Sequence, residues 1–284
     1  MATERSPYYK IIDMIITSKK FLYMENQFFV SNYSEGRAFD KAPNLQDFYF
    51  TGKEDESTRK SKTKVHNRVV EALFQRILSA HQAGEDFICC LVLNLMPDFF
   101  GDLSSKTDKF RIVIDVTLNT LFKGEFSLIR RLERNGVNWR KYLKVFGLKN
   151  HGIKNNSPCC ESIYVHSKVI IQDDHELFIG SVNLNDRSLL GNRDSELAVS
   201  LVDDNKKSGI LSGTVYNKSE TVLEFRMKMM DSLIGEHEMD LDDFMDPKLW
   251  DQLEKRASCN AKFYSEVFGV CPDDQIRKLT DIQR

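Results

Sequence analysis

Residues 164–183 read YVHSKVIIQDDHELFIGSVN. Apolar runs lie on both sides of Asp173-Asp174-His175. This pattern predicts a β-hairpin, with strands over 163–171 and 177–179. His166 and Lys168 are two apart on the first strand, so both aim to one face. Ser181 and Asn183 are two apart just beyond the second, where they can converge on the same spot.

The convergence is chemically coherent. Lys168 brings a fixed positive charge, and Ser181 and Asn183 bring neutral donors. Together they can hold a phosphate and stabilise charge that grows on its oxygens. His166 can act as nucleophile or as proton donor near neutral pH. A histidine so used needs its other ring nitrogen held by a carboxylate, and Glu196 is the candidate. A lone His near a Lys, or a lone Gly-Ser pair, is ordinary surface or turn sequence. Six specified positions at these spacings, His166, Lys168, Asp173, Gly180, Ser181 and Asn183, form a much stronger signal.

Outward from the hairpin, further elements alternate. Residues 20–30 predict a strand interrupted by Glu25-Asn26-Gln27. Residues 31–64 are polar and charged and predict a loop insertion. Val69, Val70, Leu73, Phe74, Ile77 and Leu78 recur at helical spacing within 65–83. The continuous apolar run 87–95 predicts a buried strand. Residues 107–134 predict a helix broken near Gly124, 142–148 a short strand, and 196–202 another strand. A polar connector is expected over 203–220. Helices are expected near 222–233 and 247–264, the second within a C-terminal helical tail, 238–284, that opens on an acidic solvated stretch, EMDLDDFMD at 238–246. Strands alternating with helices indicate an α/β layered domain, one mixed sheet flanked by helices. No repeat or linker divides it, so 1–284 is expected to be a single unit.

Bulk properties narrow the class. The chain has 284 residues, 41% hydrophobic and 29% charged, enough for a sizeable core. Its net charge of -2 weighs against a wholesale nucleic-acid binder. Six cysteines at non-ligating spacings read as free thiols of a reducing compartment. No window approaches the apolar length of a spanning helix. Any membrane contact is therefore expected to be peripheral, on a cytoplasmic protein.

The pattern His166-x-Lys168, Asp173, Gly180-Ser181-x-Asn183 resembles the HKD motif of the phospholipase D superfamily. The flanks YVHSK and IGSVNLNDRSLLGNRDSELAV are similar to the second such motif of eukaryotic PX-PH type enzymes. YMENQFFVS, WRKYLKVFGLKNHG and the tail from FRMKMMDSLIGEH to NAKFYSEVFGVCPDD also resemble that C-terminal catalytic half. The likeness covers about residues 20–270.

The resemblance implies a phospholipase D-like α/β/α sandwich carrying one HKD half. It implies hydrolysis or transphosphatidylation of phosphatidylcholine through a phosphohistidine, giving phosphatidic acid and choline, with no metal or other cofactor. His166 would be the second-motif acid and base. Lys168 and Asn183 would bind phosphate oxygens, with Ser181 beside them. Glu196 would orient His166, and Glu25, Asn26 and Gln27 would lie near the site. Asp173, the third residue of the motif's name, is counted with the catalytic set, although its role reads as structural hydrogen bonding. The implied partners are a phospholipid surface and a second HKD-bearing half or a second copy. A phosphoinositide or small GTPase regulator belongs to the same expectation, and no residue here selects one. No nucleic acid is expected.

The family pairs two HKD motifs, and this sequence holds one, since no other histidine is followed two residues later by lysine. Residues 96–102, Met-Pro-Asp-Phe-Phe-Gly-Asp, also depart from the family's Pro-Gly-Phe-Glu-Gly-Asp-like loop. The alternatives are an inactive half acting as a binding or regulatory module, and a single-motif homodimeric phosphodiesterase or nuclease.

Overall fold

The computed structural model describes residues 4–32, 65–94 and 109–268. The expected 31–64 insertion therefore lies almost wholly outside the described residues, and the 96–102 loop wholly outside them.

Six strands form the central sheet: β1 Phe21–Asn26, β2 Ile88–Leu93, β3 Leu143–Phe146, β6 Lys168–Gln172, β7 Glu176–Gly180 and β8 Ala198–Val202. Their spatial order is β3-β2-β1-β6-β7-β8. β1, β2 and β3 run parallel, while β6, β7 and β8 alternate antiparallel beside β1. The sheet is therefore mixed, and both faces are covered. In β1, Leu22 and Met24 join the core under α1 (Ser6–Thr17), α2 (Val69–Ala83) and α4 (Leu128–Arg134). Phe21 and Tyr23 point the other way, into a second core with α7 (Glu220–Ile234) and α8 (Pro247–Phe268). Strict alternation of large apolar residues buried on both faces produces an α/β/α sandwich. The α/β/α expectation holds.

The predicted elements fall close to place, with informative exceptions. The 107–134 helix breaks near Gly124 as expected, at φ 86°, into α3 Lys109–Leu121 and α4, and the exceptions lie elsewhere. A helical turn, α5 Trp139–Tyr142, takes the start of the expected 142–148 strand. The N-terminal helix α1 was not predicted, although its buried Tyr8, Ile11, Ile12 and Ile15 keep helical spacing. The 203–220 connector is instead a hairpin, β9 Lys206–Leu211 and β10 Thr214–Ser219. Its strands are polar because they form their own two-stranded sheet, with most side chains exposed. Residues 149–162 form another hairpin, β4 Lys149–Lys154 and β5 Ser157–Ser162, which the sequence pattern did not predict and which places His151 on a strand.

The acidic stretch 238–246 is not a solvated connector either. Leu241, Phe244 and Met245 are buried in the second core. Asp242 accepts a bond from the Ile210 amide, and Asp243 accepts from the Ser212 and Gly213 amides. The segment thus straps the β9–β10 hairpin to the body. Below it, Arg226 is fully buried and binds both carboxylate oxygens of Asp174, at 2.7 and 3.0 Å. Arg226 also donates to the carbonyls of Leu241 and Asp242. Nothing in the local pattern marks Arg226 or Asp174 as core residues.

Candidate active site

Strand directions gather the site. The C-terminal ends of β1, β2 and β7 and the N-terminal ends of β6 and β8 all meet one rim of the sheet. Glu25, Asn26 and Gln27 end β1, Lys168 opens β6, Ser181 and Asn183 follow β7, and Glu196 precedes β8. Residues far apart in sequence converge because antiparallel pairing returns the chain to the same edge. Asn26 stands directly opposite Lys168 in the ladder.

His166 is not on the strand as expected. β6 begins at Lys168, and His166 lies exposed in the extended segment before it. That segment is nevertheless held firmly. Asn94 accepts the Val165 amide at 2.6 Å and donates to the Val165 carbonyl at 2.9 Å, and also to the Gln27 carbonyl. One side chain thus fixes both backbone groups of the residue before His166. The Tyr164 ring stacks beside the imidazole, with centroids 6.0 Å apart. Sequence reasoning missed Asn94 and Tyr164. An asparagine at the end of an apolar strand was the available signal for the first.

Lys168 is buried, and its ammonium donates to Gln27 Oε1 at 2.7 Å and to the His166 carbonyl. Two of its three N–H donors are so used, which leaves one for an anion. Burial pushes the lysine below its ordinary pKa, and the Glu196 carboxylate opposes that shift. Gln27 also donates to the Tyr164 hydroxyl at 2.6 Å, so Gln27 couples the lysine to the ring beside His166. Glu25 is buried and accepts from Ser167 and Tyr23. Asn26 braces the loop after β7, accepting the Leu184 amide at 3.2 Å and donating to the Val182 carbonyl at 3.2 Å. Asn26 and Glu25 therefore support the site from beneath it.

Ser181 is exposed at the rim, and its hydroxyl donates to Glu196. Glu196 is held by this serine, and the expected hydrogen bond from a His166 ring nitrogen to the Glu196 carboxylate is not formed. The buried Oδ1 of Asn183 meets no donor among the described residues. Gly180 is required by crowding: a Cβ there would sit 2.3 Å from the Leu197 carbonyl oxygen and 2.6 Å from the Ala198 Cα. The glycine lets β7 and β8 approach closely enough for Ser181 to reach Glu196.

Asp173 does not join the site. It sits in the β6–β7 turn at the opposite end of the sheet, about 17 Å away along five residues of strand. Both it and Asp174 have positive φ, 53° and 49°, a backbone that Asp tolerates in tight hairpins. The Asp173 carboxylate accepts the amides of Lys19, Lys20 and Phe21 at 2.7 to 2.8 Å. Its work is to pin the start of β1 to the hairpin, which corrects its place in the catalytic set. Burial still raises its pKa, against the pull of those three amides. Arg187 binds Asp194, while Asp186 accepts from the backbone amides of His66 and Asn67. Among the described residues, no group of three His, Cys, Asp or Glu is arranged to hold a metal.

A family model described as Phospholipase D matches residues 159–273, which span the β6–β7 hairpin, the His166–Glu196 part of the rim and the α7–α8 layer. Phospholipase D2 of Bos taurus is 35% identical over 270 residues, covering 92% of this chain and 26% of that protein. The chain belongs to the phospholipase D family. Phospholipase D1 of Homo sapiens is 30% identical, covering 99% of this chain and 24% of its own length. Phospholipase D zeta 1 of Arabidopsis thaliana is 31% identical over 95% of this chain and 23% of its own. The chain thus spans about a quarter of the length of these relatives. Among solved structures, NucT from Helicobacter pylori aligns at 15% identity and TM-score 0.35, covering 82% of this chain and 94% of that one.

Proposed function

We propose that this chain is one catalytic half of a phospholipase D acting on glycerophospholipids, with phosphatidylcholine cleaved to phosphatidic acid and choline. The observation that carries the reading is the rim itself. An exposed histidine, a buried lysine with a spare donor, a serine and an asparagine meet at one sheet edge, on a chain of this family. In the proposed reaction, a histidine from a second HKD motif attacks phosphorus and the P–O bond to choline breaks. His166 gives a proton to the departing alkoxide. His166 then takes a proton from water or a primary alcohol, which attacks phosphorus and releases the first histidine. Lys168 offsets charge on the non-bridging oxygens throughout. Glu196 acts through Ser181 and through its field on Lys168.

The second histidine comes from another HKD-bearing half or from a second copy of this chain. The test is choline release and phosphatidylethanol formation from phosphatidylcholine vesicles with ethanol, for the chain alone and beside His166→Ala. Transfer product that vanishes in the variant supports a site completed by a second copy. Absence of product at every protein concentration assigns the second motif to a different chain. Product that persists in His166→Ala overturns the role of the rim.

A further inference from the structure

The β4–β5 hairpin belongs to no part of the catalytic rim, yet it leaves the body beside it. It starts just after β3, whose C-terminal end lies on the rim side, and it feeds directly into the His166 segment. Six residue pairs carry it about 20 Å from its base. Asn155 and Asn156, at φ 50° and 61°, close it with a tight two-residue turn. Residues 150–159 are all exposed, so neither face of the ribbon is covered. A bare two-stranded ribbon is marginal in water by itself. Tyr264 of α8 steadies its base: the hydroxyl lies 3.1 Å from His151 Nδ1, and the Lys149 ammonium sits 5.5 Å from the ring centroid.

The chemistry of the tip is unusual for a solvated hairpin. Ile153 is 80% exposed, and its ladder partner is Pro158. The hairpin, 149–162, carries Lys149, His151 and Lys154 against one acid, Glu161, which pairs with Asn150 near the base, so the tip itself holds Lys154 and no carboxylate. The end of α8 that touches the hairpin adds Phe263 and Val267, four apart and 52% and 44% exposed. A projecting apolar tip flanked by cations matches an anionic lipid surface, which offers a hydrocarbon boundary under negative headgroups. A protein partner would call for a broader apolar patch than single projecting side chains.

The geometry points to the β4–β5 hairpin, tipped by Ile153 and Lys154, as the element that docks this chain onto an anionic membrane surface. The inference rests on the lipid phosphodiesterase reading, because it would hold the rim where the substrate lies. It is tested by flotation of the whole chain with phosphatidylcholine vesicles, with and without phosphatidylserine. Wild type should float with the anionic vesicles. Lys154→Ala should cut the bound fraction about fivefold, the loss of one cation at a charged surface. Ile153→Asp should cut it about tenfold. Both sites are exposed, so circular dichroism and melting should not change. Hydrolysis of a monomeric short-chain phosphatidylcholine, which needs no surface, reports the phosphodiesterase reading separately and should be the same in the variants and wild type. Equal flotation of variants and wild type, or no flotation of wild type, overturns the docking role and leaves the catalytic reading standing.

Discussion

Replacing Arg226 with methionine tests the buried ion pair that ties the tail to the central hairpin. Methionine keeps the apolar stem between the rings of Phe21 and Phe244, which lie 5.7 and 5.2 Å from the guanidinium carbon. It removes four hydrogen bonds, two to Asp174 and two to strap carbonyls. Asp174 is fully buried, so its charge is stranded with only the Lys218 ammonium at 3.6 Å. Losing one partner of a buried pair costs about 3–5 kcal/mol. The remaining lysine places the expected loss near the lower end, about 3 kcal/mol. That is a large share of the roughly 5–15 kcal/mol that holds a domain together, and a chain of this size should melt about 6–12 °C lower. Urea unfolding followed by tryptophan fluorescence is the assay, since Trp250 packs against Phe244 beside the pair. Asp174→Asn combined with Arg226→Met should cost less than the sum of the two single losses. A single loss below about 1 kcal/mol, or strict additivity in the cycle, would refute the claim that this pair holds the strap.

Two further predictions concern the rim. Gly180→Ala forces a Cβ against the Leu197 carbonyl and the Ala198 Cα, and neither backbone atom can yield cheaply. It should destabilise by about 1–3 kcal/mol and weaken inorganic phosphate binding, read by calorimetry, by separating Ser181 from Glu196. The second is pH dependence. Lys168 has a depressed pKa because burial disfavours its charge, so phosphate binding should fall on the alkaline side at a lower pH than an ordinary lysine would give. Glu196 raises that pKa, so Glu196→Gln should move the alkaline limb lower still. A limb that stays in place or moves upward in a binding titration over pH 7–11 would separate Glu196 from Lys168.

The sequence alone determined the α/β alternation of the central sheet and the motif residues of the rim, His166, Lys168, Ser181 and Asn183, but not Asn94 or Tyr164 beside them. Apolar runs at 87–95 and around Asp173-Asp174 have one buried solution each, and a His-x-Lys followed by Gly-Ser-x-Asn has one family resemblance. Gly180 was legible as part of that pattern, though its reason was not. Only the fold shows that it makes room for the β8 backbone.

What the tertiary structure decided was which ends of strands meet. Asp173 sits within five residues of Lys168 in sequence, yet a strand puts it at the far edge of the sheet, where it pins β1. Glu196 is thirty residues from His166, and strand pairing delivers it to Ser181. The 238–246 strap reads as a solvated acidic stretch, and nothing local marks Arg226 or Asp174 as buried, because periodicity cannot see a partner. Burial of a charge depends on which opposite charge the fold brings to it, and that partner is fixed by packing across the whole chain.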